Sequence, residues 1–184
     1  MILPIYAYGQ PVLKKLGVEI SSDYEGLEQL IADMWETMEN ANGVGLAAPQ
    51  IGRAIRLFVV DSGPMLEEGQ EHLGIRKVFI NAQILEETGE DCSYSEGCLS
   101  IPDVSGDVER PEQITIRWQD EEFAEHTETF SGMNARVIQH EYDHIEGILF
   151  TELLKPLKKR MVKRKLEKIK KGEINHKYRM KFVK

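Results

Sequence analysis

The stretch RVIQHEYDHIEG, residues 136–147, constrains the fold more than any other part of this 184-residue chain. A helix is predicted from Ser131, a plausible N-cap, to Gly147, and apolar residues recur on two of its sides rather than one. A helix that is apolar on two sides is usually buried between other elements. We therefore predict an α+β fold in which antiparallel or mixed β-sheets pack around a central buried helix.

The other predicted elements are two helices and four short strands. The segment 21–43 has apolar residues at helical spacing and opens with Ser and Asp, which commonly cap a helix N-terminus. A basic C-terminal helix is predicted after Pro156, ending at Gly172. The predicted strands are 55–61, 77–85, 112–120 and 123–130. The last two of these strands are expected to pair as an antiparallel hairpin.

The bulk composition suits one domain, which we expect to span residues 1–184, with 41% hydrophobic residues to build a core. No run approaches the roughly 18 apolar residues that span a membrane, and the N-terminus does not resemble a signal peptide. Only Cys92 and Cys98 could form a disulfide, so a cytoplasmic location is expected. Neither a membrane nor DNA is an expected partner.

His140 and His144 lie four residues apart, and Glu141 follows the first, which gives the pattern H-E-x-x-H. Residues four apart on a helix project from the same face, so both imidazoles can bind one metal ion. Glu141 lies about 100° around the helix from His140, where a general base could act. The alternative is a chance occurrence of the pattern on an exposed helix.

Two histidines leave a metal site incomplete. Many zinc proteases supply the third ligand downstream, but His176 lies far along the basic tail and Glu146 lies on the wrong face. Nothing in their setting favours the other downstream candidates, Glu152, Glu167 and Glu173. Cys98, upstream in YSEGCLSIP, is the better candidate. One cysteine and two histidines would leave a fourth position open, as a catalytic metal requires.

A glycine-rich stretch, NGVGLAAPQIG at residues 42–52, also calls for explanation. Its three glycines allow other groups to approach the backbone closely. It is not a phosphate loop, because no G-K-[ST] follows. A tight turn between a helix and a strand is the alternative interpretation.

Together these stretches resemble the peptide deformylase family, whose three motifs match GVGLAAPQ (43–50), EGCLS (96–100) and QHEYDH (139–144) in the same order. The resemblance covers about residues 1–150. It implies a metal-dependent hydrolase that removes the formyl group from the N-terminal formylmethionine of new polypeptides and releases formate. It also implies one divalent metal ion per chain, with Fe²⁺ preferred and Zn²⁺, Ni²⁺ or Co²⁺ found or substituted.

The resemblance also implies roles for individual residues. Cys98, His140 and His144 would bind the metal. Glu141 would take a proton from the attacking water and pass it to the leaving amine. The Gln50 side-chain amide and the Leu99 backbone N–H would donate hydrogen bonds to the developing oxyanion. The substrate would lie as an extended strand beside Gly45. The residues expected to bind the substrate are Gly45, Val44, Gly97, Glu96, Met133 and Val137.

Two details stay open at this point. Val44, Met133 and Val137 could form a flexible apolar pocket for the methionine side chain, or they could be ordinary core. Many family members carry an arginine shortly after C-L-S-I-P that positions the substrate backbone. Ser105 stands near that place here, and the first arginine is Arg110, which could substitute or could hold the loop.

Charge is distributed unevenly along the chain. The net charge is −8, yet residues 155–184 carry 14 Lys and Arg and only two acidic residues. This basic helix and tail could be a solvated surface that balances an acidic body. Given the function that the resemblance implies, it could instead contact ribosomal RNA through its phosphates, near the place where nascent chains emerge.

Two other functions compete with deformylation. An endopeptidase of the H-E-x-x-H type would need a third ligand downstream and would cleave unformylated peptides. A structural metal site or RNA-binding module would close the metal site with a fourth protein ligand and would use the basic tail as its functional part.

Overall fold

A computed structural model describes residues 1–183, and within them it shows three α-helices and seven β-strands. The helices are α1 (Leu27–Asn40), α2 (Gly132–Ile145) and α3 (Pro156–Lys170). The strands are β1 (Ile5–Tyr6), β2 (Gly45–Ala47), β3 (Leu57–Asp61), β4 (Arg76–Cys98), β5 (Ile101–Gln119), β6 (Glu125–Ser131) and β7 (Met180–Lys181). No helix in this described part of the chain is long and apolar enough to cross a membrane.

Five strands form one antiparallel sheet in the order β2-β3-β4-β5-β6. Its register places Leu57 opposite Ile80 and Ile114 opposite Phe130. The predicted hairpin is present as β5 and β6. β1 and β7 pair in parallel as a separate two-stranded sheet. The predicted α+β class is confirmed, because the helices lie outside a sheet whose strands run antiparallel.

β4 and β5 are much longer than the predicted strands 77–85 and 112–120, and they form one long hairpin. Residues 86–95 are polar and show no strand pattern, yet they pair with β5 through a ladder that shifts register at several points. Cross-strand pairing therefore overrides a weak intrinsic preference. The two strands are joined by a two-residue turn, Leu99–Ser100.

Two helix boundaries differ from the predictions. α1 begins at Leu27, several residues after the Ser and Asp that were expected to cap it, because Gly26 precedes it in a left-handed conformation with φ 73°. Ser131 is at the N-cap position of α2, but its side chain makes no capping hydrogen bond within residues 1–183. α2 ends at Ile145, and Gly147 just beyond it has φ 73°.

Helix α2 packs against β2, β3, β5 and β6. Its buried residues are Ala135, Arg136, Val137, Ile138, Gln139, Glu141, His144 and Ile145. Half of these side chains are polar or charged. Buried polar groups are costly unless they find partners, so the helix must meet specific hydrogen-bonding groups on the sheet.

The C-terminal residues return to the N-terminus. The Ile5 N–H donates to the Arg179 carbonyl and the Ala7 N–H to the Lys181 carbonyl, both at 2.9 Å. The predicted basic helix is present as α3, whose apolar side is buried through Val162, Leu166 and Ile169. The segment after it is therefore tied to the body through β7.

Phe79 is expected to be critical for stability. It is fully buried on β4, and its ring is 4.8 Å from that of Phe58 and 5.0 Å from that of Trp118. Phe79→Ala should lower the free energy of unfolding by about 3–5 kcal/mol, measured by urea denaturation, because it removes contacts and leaves a cavity. Leu85→Ala on the same strand is the control, since Leu85 is 49% exposed and should change stability by less than about 0.5 kcal/mol. Equal effects would contradict this assignment of the core.

Candidate metal centre

The tip of the β4–β5 hairpin and helix α2 bring together three side chains of the types that bind metal ions. Cys98 is the last residue of β4, and His140 and His144 lie about one turn apart on α2. One donor atom from each residue lies within 4.8 Å of the other two. The Cys98 Sγ atom is 3.4 Å from the His144 Nε2 atom. The upstream cysteine and the two histidines of the H-E-x-x-H pattern thus meet at one place.

The two histidines have different surroundings, which shift their pKa values in opposite directions. The Nδ1 atom of His140 lies 2.8 Å from the Glu96 Oε1 atom, which orients the ring. Burial favours the neutral form of His140, but the hydrogen bonds with Cys98 and Glu96 outweigh it and raise the pKa of His140 well above its ordinary value, so a metal ion would bind this ring in exchange for a proton. His144 is buried, and its Nδ1 atom has no hydrogen-bond partner among the described residues. Burial lowers the pKa of His144 well below its ordinary value, so the ring is neutral, as metal binding requires.

The Glu96 carboxylate is a buried junction between β4, β5 and α2. It accepts hydrogen bonds from Arg110 Nε at 2.7 Å and Arg136 Nη1 at 2.8 Å, in addition to its contact with His140. Burial alone would raise the pKa of Glu96, but the hydrogen bonds from His140 and Arg110 outweigh it and hold the pKa below its usual range. Arg110 also donates to Asp143 at 2.8 Å. The carboxylate therefore stays ionised and orients His140.

Glu141 is buried at the edge of the metal centre. Its Oε2 atom has no hydrogen-bond partner within residues 1–183. Burial raises the pKa of Glu141 to about 7, which suits a group that takes up and releases a proton near neutral pH. Gly45 lies directly against this side chain, and a Cβ atom there would be 2.7 Å from the Glu141 Cγ atom. A glycine at position 45 therefore makes room for Glu141.

Gln50 places a hydrogen-bond donor beside Cys98. Its Oε1 atom accepts the Ala47 N–H at 2.9 Å, which fixes the orientation of the side-chain amide. Its Nε2 atom consequently faces the hairpin turn, 3.2 Å from Ser100 Oγ and 3.4 Å from Cys98 Sγ. Gln50 is buried, so this donor is held in place without competition from bulk water.

A cavity of about 740 Å³ opens beside these groups. The predicted site residues that line it are Val44, Gly45, Gln50, Glu96, Gly97, Cys98, Leu99, Val137, His140 and Glu141. His144 is buried next to Cys98 rather than on the cavity surface. Met133 is not among the described residues that line the cavity, because it lies about 6 Å farther from His140 along the helix axis than Val137 does.

Arg110 does not lie where a substrate-positioning arginine would be needed. Its side chain is 6% exposed and is bound to Glu96 and Asp143, so it holds the β4–β5 hairpin rather than facing the cavity. Ser105, which stands near the expected place in the sequence, does line the cavity. Arg136 lines it as well, although it also binds Glu96 and the Val108 carbonyl.

Other cavity residues were not identified from the sequence. Arg136 could have been identified from the sequence, since it lies four residues before His140 on the same face of α2. No sequence pattern pointed to Met65 or to the segment 175–178, because the folding of the chain alone brings them to the cavity. The wall formed by the C-terminal segment is the larger omission.

The residues present fit a divalent metal ion. A thiolate and two imidazoles are ligands that Zn²⁺ and Fe²⁺ accept. Among the described residues this group supplies three protein donors, which leaves a position open for water or substrate on the cavity side. Glu141, whose Oε2 atom has no hydrogen-bond partner within residues 1–183, lines the same cavity. Both cysteines are free thiols, so a disulfide does not compete for Cys98.

Comparison with known proteins agrees with this geometry. The family model described as polypeptide deformylase matches residues 2–160. A peptide deformylase of Christiangramia forsetii is 58% identical, covering 99% of this chain and 96% of the relative. One of Flavobacterium johnsoniae is 52% identical over all of this chain and 97% of the relative.

Solved structures of peptide deformylases share the fold. That of the Legionella pneumophila enzyme has a TM-score of 0.81 at 36% identity, covering 94% of this chain and 98% of the other. That of the Plasmodium falciparum enzyme has a TM-score of 0.82 at 29% identity, covering 91% and 95%. With the family model and the close relatives, these likenesses lead to one conclusion: the chain belongs to the polypeptide deformylase family.

Proposed function

We propose that Cys98, His140 and His144 bind the metal ion with which this enzyme removes the formyl group from the N-terminus of newly made polypeptides. The observation that carries the proposal is the meeting of these three side chains within 4.8 Å beside the buried carboxylate of Glu141. We further propose that residues 1–184 act as one domain, with the metal-binding helix α2 at its centre and the cytoplasm as its location.

The metal ion, when bound, would supply Lewis-acid chemistry to water and to the formyl oxygen. Fe²⁺ is our proposal for the ion used in the cell, on the basis of the family, and Zn²⁺, Ni²⁺ or Co²⁺ could occupy the same ligands. The protein holds the His140 ring ready through its contact with Glu96, which fixes the orientation of the imidazole, and the ion would displace a proton from that ring on binding.

Glu141 is the proposed general base and then general acid. Its free oxygen, Oε2, takes a proton from the attacking water, and the same carboxyl group later gives a proton to the amine that leaves. The absence of a competing hydrogen bond to Oε2 within residues 1–183 supports this role. Formate and a free N-terminal amine are the products.

Gln50 and Leu99 are the proposed donors to the oxyanion that develops on the formyl oxygen. The Ala47 N–H holds the Gln50 amide so that its N–H groups face the metal centre. Leu99 follows Cys98 directly, and its backbone N–H belongs to the two-residue turn at the tip of the hairpin. Donors fixed in place before the reaction lower the barrier most, because no reorganisation is needed when charge develops.

The proposed substrate is an extended formylmethionyl peptide lying along β2. This strand is at the edge of the five-stranded sheet, so one side of its backbone can pair with a peptide. Val44 and Val137 are the proposed walls of the methionine pocket, together with Met65, which lines the same cavity and packs on the same apolar cluster. Gly97 and Glu96 border the same space, whereas the contribution proposed for Met133 is not supported by its position.

The two competing functions find less support. An endopeptidase would need a downstream ligand, but Glu146 pairs with Arg56 at 2.7 Å and Glu152 with Lys14 at 2.6 Å. A structural metal site would need a fourth protein donor, and the metal-binding group among the described residues has three.

Formate release tests the catalytic role of Glu141. Glu141→Gln should lower kcat on formyl-Met-Ala-Ser by roughly 10²–10⁴-fold under anaerobic conditions, because it removes the proton carrier. Glu146→Gln is the matched control at the end of the same helix, and it should leave kcat nearly unchanged. Cleavage of a peptide bond in unformylated peptides, with no formate from the metal-loaded wild type, would instead favour the endopeptidase.

Metal content tests the ligand set. Wild-type protein purified without oxygen should hold one ion per chain, mainly iron, by elemental analysis. Cys98→Ser should retain much less metal, because a hydroxyl is a far poorer ligand than a thiolate. Cys92→Ser is the matched control, since Cys92 is exposed and outside the metal group, and its content should equal that of wild type. Equal metal in Cys98→Ser and wild type would overturn the proposed site.

We also propose that α3 contacts the ribosome where nascent chains emerge. Its buried face packs on β5, and its cationic side chains point outwards. Lys159 and Lys163 are exposed and four residues apart, so they form part of one basic face. Phosphate contacts are the physical reason to expect binding there.

Ribosome sedimentation tests this contact. Truncation at Leu157 would also remove buried core residues and β7, so charge reversal is the cleaner change. Less of the Lys159→Glu, Lys163→Glu double variant should co-sediment with ribosomes. Its binding constant should also fall less steeply as salt concentration rises, by the slope that about two phosphate contacts contribute. The control double variant Lys15→Glu, Arg53→Glu changes charge equally at exposed positions elsewhere and should sediment like wild type. Identical behaviour of the two double variants would refute the contact.

A further inference from the structure

The C-terminal segment forms part of the wall of the substrate cavity. Asn175, His176, Lys177 and Tyr178 all line it. The match to the polypeptide deformylase model ends at residue 160, so this wall lies beyond the matched residues. β7 holds the segment in place by pairing with β1, and the Gln10 side-chain amide donates to the Phe182 carbonyl at 2.7 Å.

The hairpin turn at residues 98–101 is held at three points. The Tyr8 N–H donates to the Ser100 carbonyl at 2.9 Å, and the Gln50 amide donates to Ser100 Oγ at 3.2 Å. The third point comes from the C-terminal segment, where the Tyr178 hydroxyl donates to the Leu99 carbonyl at 2.6 Å. The turn carries both the Cys98 thiol and the Leu99 N–H, so its orientation determines where both groups point.

We propose that Tyr178 is a positioning residue for deformylation, which orients the Leu99 backbone through its hydrogen bond to the Leu99 carbonyl. The inference rests on the oxyanion role proposed for the Leu99 N–H. The two peptide planes on either side of Leu99 are joined by only two soft dihedral angles. Holding the carbonyl of one plane therefore limits the direction in which the N–H of the other can point.

The surroundings of Tyr178 separate this role from simple packing. Its ring is partly buried against the apolar cluster that includes Ile5 and Leu46. Burial also raises the pKa of its phenol, so the hydroxyl keeps its proton and stays a donor at neutral pH. Packing of the ring anchors the segment, whereas the hydroxyl makes the hydrogen bond to the turn. Removing only the oxygen atom should consequently change the turn without releasing the segment.

Tyr178→Phe tests the proposal, with Tyr6→Phe as the matched control. The Tyr6 hydroxyl also ties the C-terminal strand to the body, through Lys181 Nζ at 3.0 Å, but the described contacts of that hydroxyl do not include the turn. Each variant loses one phenolic oxygen and one hydrogen bond that involves the C-terminal segment. Two kinds of experiment are made on zinc-loaded protein labelled with ¹⁵N-leucine. Kinetics gives kcat and KM for formyl-Met-Ala-Ser, and NMR gives the chemical shift and the hydrogen-exchange rate of the Leu99 amide.

Tyr178→Phe should lower kcat by up to about tenfold, the upper range for one ordinary hydrogen bond, with KM little changed. The Leu99 amide should shift and exchange faster, while Tyr6→Phe matches wild type in both measurements. An unchanged kcat or an unchanged Leu99 amide in Tyr178→Phe would overturn the inference, and so would an equal loss in Tyr6→Phe. If the wild type itself released no formate, the proposed function would fail, and the Leu99 amide would still report whether Tyr178 orients the turn.

Discussion

The buried carboxylate of Glu96 joins the three elements from which the metal centre is built. It sits on β4 two residues before Cys98, and it binds Arg110 on β5 together with Arg136 and His140 on α2. Removing one partner from a buried ionic group of this kind typically costs about 3–5 kcal/mol, because the remaining charges lose their compensation. The same contacts that satisfy the charge set the distance between the hairpin tip and the helix, and so bring the cysteine to the histidines.

Rigidity at the hairpin tip follows from its small size and many contacts. Only Leu99 and Ser100 separate β4 from β5, and the turn is bound from the N-terminal residues, from Gln50 and from the C-terminal segment. The proposed metal ligand Cys98 and the proposed oxyanion donor, the Leu99 N–H, lie on or beside this turn, which can hold both close to their working positions before substrate arrives. Sites supported in this way avoid the cost of reorganisation during the reaction.

Much of the site could be predicted because its residues lie at short, regular spacings. His140, Glu141 and His144 share a helix whose period places them, and Cys98 was identifiable by elimination and by the motif around it. The polar residues 86–95 could not be recognised as strand, since their pairing with β5 depends on the partner rather than on their own preference. Met133 was predicted on the same helical stripe as Val137, but a stripe does not show where a cavity ends.

The sequence by itself determined the metal-binding pattern, the upstream cysteine, the α+β class and the family. These features are local, or they survive as motifs, so the periods of helix and strand and the order of the motifs are sufficient to find them. Only the tertiary structure decided that Arg110 supports the hairpin through Glu96 and Asp143, and that Tyr178 reaches the Leu99 carbonyl across 79 positions of sequence. Those contacts depend on how distant segments of the chain pack together in three dimensions, and this packing cannot be derived from composition or from the spacing of residues.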